Sequence, residues 1–241
     1  MSRLKLFCFP HAGGGARTFY PWQAPLAPLA EVRPVELPGH GARLREEPFT
    51  LLSPLVESTY RELLPELRGP FAFFGHSMGA LIAFELARLL RREQGLEPAH
   101  LLVSGSRAPQ VPDLRPPTYA LPDDEFIAEL RRLEGTPREV LEQPELIALM
   151  VPLLRADFSV ADRYEYSPGM PLSCPITALG GLQDRETPRE SLEAWREQTS
   201  AEFTVNMLPG DHFFLLKDQP LVLQSIAQAL RPAAVGHRRG T

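Results

Sequence analysis

The stretch Phe73 to Ala87, FFGHSMGALIAFELA, constrains this chain more than any other. An apolar, β-rich run stops at a G-x-S-x-G corner, and a helix-period run starts before the corner is complete. A serine between two glycines on so tight a strand-to-helix turn is lifted above the sheet, because Gly75 and Gly79 remove the Cβ atoms that would collide there. The helix that begins at the corner aims its unpaired N–H groups and the positive end of its dipole at the serine hydroxyl. Ser77 is therefore the candidate nucleophile.

The rest of the chain fits such a corner. Leu4–Phe9, Val32–Leu37, Phe71–Phe74, Leu101–Val103, Ile176–Leu179 and Phe203–Met207 are short β-rich runs. Between most of them lie helix-period stretches, Leu55–Leu67, Leu81–Leu90, Leu192–Thr199 and Leu221–Leu230. Strands alternating with helices specify an α/β fold with a mostly parallel, doubly wound sheet. At 241 residues and 44% hydrophobic content the chain can bury one large core. T-P-R-E occurs at Thr136–Glu139 and at Thr187–Glu190, each reading as a capping box with proline at the first helical position.

From Pro109 to Tyr166 the alternation fails. A proline-rich entry leads into two amphipathic stripes, Phe126/Ile127/Leu130/Leu133 and Leu146/Leu149/Met150/Leu153/Leu154, the second interrupted at Pro152. A helical insertion over 109–166 reads as a lid on a core formed by 1–108 and 167–231, with 232–241 a disordered tail.

Composition excludes several classes. A formal net charge of −5 carries no global nucleic-acid footprint. No window approaches the roughly 18 apolar residues of a membrane span, and the N-terminal apolar run ends at Pro10 with no cleavage site after it. Cys8 and Cys174, each in an apolar run, read as buried free thiols of a cytoplasmic protein. No His/Cys/Asp cluster has metal-ligand spacing.

A serine hydroxyl needs a base, and the base an orienting carboxylate. In this architecture the order is Ser, acid, His. His100 opens the strand directly after the first helix beyond Ser77, and His237 lies in the basic tail, which leaves His212 in LPGDHFFLL as the base. Asp184 in LGGLQD follows the strand ITAL at its C-terminal end, where open α/β sheets carry their active-site residues, and Asp211 is its competitor. His11 and His76 read as supports. For the developing oxyanion, the backbone N–H of Met78 is one donor, and the loop Pro10-His11-Ala12-Gly13-Gly14-Gly15 supplies the other from Ala12 or Gly13. That loop resembles the HGGG-type oxyanion loop of lipases and esterases; a phosphate cradle is the rival reading, with Glu36 as the acidic partner.

The segments CFPHAGGGARTFYPW, ELPGHGARLREEP, FFGHSMGALIAFELA, LGGLQD and LPGDHFFL, in this order, resemble the type II thioesterases, free-standing α/β-hydrolases that accompany polyketide synthases and nonribosomal peptide synthetases. The resemblance spans residues 3 to 231. It implies an α/β-hydrolase fold with Ser77 as nucleophile, Asp184 as acid, His212 as base and a helical lid. It also implies hydrolysis of aberrant or stalled acyl groups carried on the phosphopantetheine arm of acyl or peptidyl carrier proteins, with acyl-CoA and other small acyl thioesters as further substrates. The enzyme is expected to be a monomer with no cofactor of its own, since the pantetheine arrives on the substrate. Arg131, Arg132, Arg138 and Arg155 of the insertion are the expected docking charges for an acidic carrier. At P-G-H-G a P-G-R is expected, a difference that touches only a surface or pocket contact. The rival readings are a carboxylesterase or lipase with the same residues and a non-catalytic carrier-binding module.

Overall fold

A computed structural model describes residues 3–136 and 138–236. Six strands form one sheet: β1 (Lys5–Phe9), β2 (Glu31–Pro34), β3 (Phe71–His76), β4 (Leu101–Ser104), β5 (Ile176–Gly181) and β6 (Phe203–Leu208). All pairs are parallel, in the order β2-β1-β3-β4-β5-β6. The helices are α1 (Gln23–Leu26), α2 (Leu52–Leu63), α3 (Met78–Gln94), α4 (Asp123–Leu133), α5 (Arg138–Leu141), α6 (Pro144–Asp162), α7 (Arg189–Glu193), α8 (Phe214–Lys217) and α9 (Gln219–Gly236).

A parallel sheet covered on both faces buries both sides of its inner strands, which is why β1, β3, β4 and β5 are nearly continuous buried runs while the edge strands β2 and β6 are only partly buried. The two-residue alternation divides their side chains between two cores. Phe7, Phe9, Phe73, Leu101, Val103 and Ala178 pack with α2, α3 and Trp195 on one face. Leu6, Cys8, Ala72, Phe74 and Leu102 pack on the other with Trp22, Val222, Ile226 and Leu230. Both cysteines are buried and unpaired, as expected, and burial pushes the Cys174 thiol up to about 12. No helix among the described residues is long and apolar enough to cross a membrane.

Between β4 and β5 the described chain contributes no strand to the sheet. It forms α4 to α6 around a small core of its own, Phe126, Leu130, Leu141, Ile147 and Leu154. Here the expectations need three corrections. Pro152 does not interrupt the second helix: α6 runs through it from Pro144 to Asp162, and its buried face is Ile147 and Leu154 while Leu146 and Leu149 of the expected stripe are exposed. A proline inside a helix forfeits an intrahelical bond and costs about 3 kcal/mol, which burial of Ile147, Leu154 and Val160 on the same helix offsets. The stretch Leu192–Thr199 is not one helix but the end of α7 followed by a 3₁₀ turn, Ala194–Gln198. Finally, α9 continues to Gly236, beyond the expected start of the tail; residues 237–241, including His237, lie outside the described residues.

Candidate active site

The corner after β3 is held by close packing of backbone on backbone. A Cβ on Gly75 would lie 2.1 Å from the Gly79 carbonyl oxygen, and one on Gly79 would lie 2.2 Å from that of Phe9. Both glycines are therefore obligatory for the turn. Ser77 has φ 54° and ψ −118°, one of two non-glycine residues with positive φ among those described. Its N–H donates to the Ser104 carbonyl at 2.8 Å, which ties the strained residue to the end of β4. Strain of this kind persists only where the surroundings over-determine it, and it clusters at functional positions.

Asp184 and His212 come from the two neighbouring loops. Asp184 follows β5 and His212 follows β6, and Asp184 Oδ2 lies 2.8 Å from His212 Nδ1. A carboxylate only accepts, so Nδ1 carries the proton and Nε2 is left with its lone pair free. Burial alone would raise the Asp184 carboxyl, but bonds from His212 and Thr187 outweigh it and hold the group below its usual range. Asp211, the rival acid, points elsewhere: its carboxylate accepts the Phe213 N–H at 3.0 Å and pairs with Lys217.

Sequence reasoning missed Thr187. It is not the cap of α7, whose N-cap is Pro188 with no side-chain bond. Its hydroxyl donates to Asp184 Oδ2, and the N–H groups of Glu186 and Thr187 reach Oδ1 at 2.8 and 3.3 Å. The D-x-x-T spacing was the available signal, obscured by the helix-start reading of T-P-R-E.

Ser77, Met78, Ala12 and His212 all line a cavity of about 540 Å³, roofed by Leu130, Leu154 and Phe158 of the insertion. Gly13 is excluded as a free donor, since its N–H is bonded at 2.7 Å to the Asp157 carboxylate on α6. The glycine loop is no phosphate cradle either: Glu36 accepts the Ala16 N–H at 3.0 Å, and a Cβ on Gly15 would meet the same carboxylate. His11 and His76 are buried beside His212, and their rings stack edge to face at 5.8 Å. Burial, with the neighbouring His212 and His40, lowers His11 to about 4; burial likewise holds His76 far below its ordinary value.

Two expectations at the periphery change. Of the surface or pocket contact expected at P-G-H-G, the surface alternative falls away: His40 is 4% exposed and its Nε2 lies 2.8 Å from Asp157. Of the docking arginines, Arg132 is engaged by Glu129 and Glu186, and Arg155 by Asp123, the Tyr119 carbonyl and the Phe126 ring. Arg131 is exposed, with one long bond to the Leu141 carbonyl, and nothing is described of the Arg138 side chain.

The profile described as the thioesterase domain matches residues 4–231. The chain belongs to the thioesterase family. It is a hydrolase of the α/β-hydrolase fold, and the resemblance to the type II thioesterases holds. Gramicidin S biosynthesis protein GrsT of Aneurinibacillus migulanus is 48% identical over 230 residues, 95% of this chain and 90% of that one. RedJ, a thioesterase from the prodiginine biosynthetic pathway in Streptomyces coelicolor, superposes with a TM-score of 0.89 at 39% identity, covering 94% of this thioesterase and 90% of RedJ. The type II thioesterase BorB from the borrelidin biosynthetic cluster gives a TM-score of 0.87 at 39% identity, with 95% and 94% covered.

Proposed function

We propose that this thioesterase releases acyl groups from the phosphopantetheine arm of acyl or peptidyl carrier proteins, with Ser77, His212 and Asp184 as its catalytic set. The observation that carries the reading is the strained Ser77 opening on the same cavity as a histidine whose Nδ1 is bound to a buried carboxylate. Relatives whose names place them in gramicidin S, prodiginine and borrelidin biosynthesis support an editing role beside such assembly lines.

Ser77 Oγ attacks the thioester carbonyl as His212 Nε2 takes its proton. The tetrahedral oxyanion is held by the N–H groups of Met78 and Ala12, the latter being the donor left on the glycine loop once Gly13 is bonded. The C–S bond breaks, and His212 returns the proton to the departing pantetheine thiol. Water, deprotonated by His212, then attacks the acyl-serine; the acid leaves and Ser77 regains its proton. Asp184 holds the ring and stabilises the imidazolium. The chemistry needs no resident cofactor, because the pantetheine arrives with the acyl group.

The insertion over 109–166 serves as a lid: its apolar faces roof the cavity, excluding water from the acyl-serine while the carrier stays outside. A reducing cytoplasm fits the two buried free thiols, and we take the enzyme to act as a monomer. The test is a side-by-side comparison of one acyl group on a carrier protein, on CoA, on N-acetylcysteamine and as an oxygen ester. The highest kcat/KM is expected on the carrier, with Ser77→Ala inactive on all four. A preference for the oxygen ester would make the enzyme a carboxylesterase, and an active Ser77→Ala would remove the proposed nucleophile.

A further inference from the structure

The lid helix and the glycine loop are joined by a buried cluster that the reaction as described does not use. Asp157, 3% exposed on α6, accepts two hydrogen bonds on one oxygen, from the Gly13 N–H at 2.7 Å and from His40 Nε2 at 2.8 Å. The other ring nitrogen of His40 faces the Pro38 carbonyl at 3.0 Å. Both ring nitrogens thus face acceptors. Only the doubly protonated ring donates to both, so a buried imidazolium faces the carboxylate. Burial alone would lower the His40 pKa, yet Asp157, the Pro38 carbonyl and Glu36 outweigh it and raise the value. The charged or titratable groups facing His40 are Asp157 from α6, Glu36 from the stretch after β2 and, in the glycine loop, the neutral His11.

What the cluster holds is a single peptide. Residues 11–14 form a tight turn closed by the Gly14 N–H on the His11 carbonyl at 2.9 Å, with Gly13 at φ +75° in its third position. That is the type II arrangement, which differs from type I by a flip of the peptide between Ala12 and Gly13. In the flipped form the Ala12 carbonyl, not the Gly13 N–H, would face the Asp157 carboxylate. A glycine at this position makes the flip cheap, so the carboxylate decides it. Leu154, one turn before Asp157 on α6, closes the same spot: a Cβ on Gly13 would lie 2.4 Å from its Cδ2.

We propose that Asp157, charge-balanced by His40, is a positioning residue that couples seating of the lid helix to assembly of the oxyanion hole. By fixing the 12–13 peptide it holds still the turn that presents the Ala12 N–H to the cavity. This rests on the reading of Ala12 as an oxyanion donor. When α6 lifts, the turn loses its carboxylate and the donor its fixed direction, so the acyl-serine is formed and hydrolysed only under a seated lid.

The experiment uses saturating N-acetylcysteamine thioester, the full chain, and the variants Asp157→Ala, Asp157→Asn and His40→Gln beside Ser77→Ala. Loss of a whole oxyanion donor costs about 10²- to 10³-fold in kcat; a donor left in place but unheld should cost about 10- to 100-fold. Asp157→Ala is expected to lose that much kcat with KM within about threefold. Asp157→Asn, which keeps an acceptor for the Gly13 N–H, should recover part of it. As the pH rises through the raised His40 pKa the wild-type kcat should fall with loss of the ring proton, and His40→Gln, lower throughout, should lack that alkaline limb. A folded Asp157→Ala with kcat within threefold of wild type, or an alkaline limb unchanged in His40→Gln, would overturn the proposal. If Asp157→Ala does not fold, the other two variants decide, an asparagine variant with wild-type kcat counting against it. An active Ser77→Ala would instead sink the underlying catalytic reading.

Discussion

Thr187 donates its hydroxyl to the very oxygen of Asp184 that faces His212 Nδ1 at 2.8 Å, and stands 3.5 Å from that nitrogen itself. Asp184, the proposed acid, is thus fixed from two sides, by a hydroxyl and by the backbone of its own loop. Thr187→Val keeps the shape and removes the hydroxyl. Its kcat is expected to fall about tenfold, a second-layer effect of the size of one lost hydrogen bond to a charged group. Steady-state kinetics at fixed pH check this, and an unchanged kcat would make the contact merely structural.

The two aspartates before the base should separate cleanly. Asp184→Asn cannot hold the Nδ1 proton in place and should lose about 10⁴-fold in kcat. Asp211→Asn, whose carboxylate serves Phe213 and Lys217, should lose less than about threefold. Single-turnover rates on an acyl thioester read both, and the reverse order would exchange their roles.

Charge reversal on the lid should not discriminate between substrates. Arg132 bridges Glu129 and Glu186, and the Glu186 N–H in turn supports Asp184 at 2.8 Å. Arg132→Glu would place three carboxylates together and disturb the acid loop. Comparable losses of kcat/KM are therefore expected on acyl-carrier protein and on N-acetylcysteamine thioester. A loss confined to the carrier would restore Arg132 as a docking charge.

Stability should fall on the acid side. Burial lowers His11 and His100 to about 4, below their ordinary value of 6.5, so the unfolded chain takes up protons in that interval and the folded one does not. Their contribution is complete above about pH 6.5 and is lost as the pH falls towards 4. By pH 5 this amounts to roughly 2 kcal/mol for each ring. Urea unfolding at pH 7 and pH 5 should register it, with a smaller difference in His100→Gln. Equal stability at the two pH values would mean that these rings are protonated in the folded state.

The sequence by itself determined the strand runs and the corner, because each is written in neighbouring residues. Six strand runs match β1 to β6, and G-x-S-x-G fixes Ser77 by the contacts its two glycines avoid. The Ser, acid, His order and the strand ends pointed to Asp184 and His212 as the proposed acid and base, and the family resemblance agreed. Tertiary structure alone decided which hydrogen bonds were already taken. Gly13 is closed to the oxyanion by an aspartate 144 residues away, His40 is drawn inside by the same aspartate across 117, and Arg132 is neutralised by Glu186 across 54. Such pairings leave no periodicity in the chain. They follow from how α4 and α6 settle over the cavity, since a buried donor or acceptor must find a partner wherever packing has placed one.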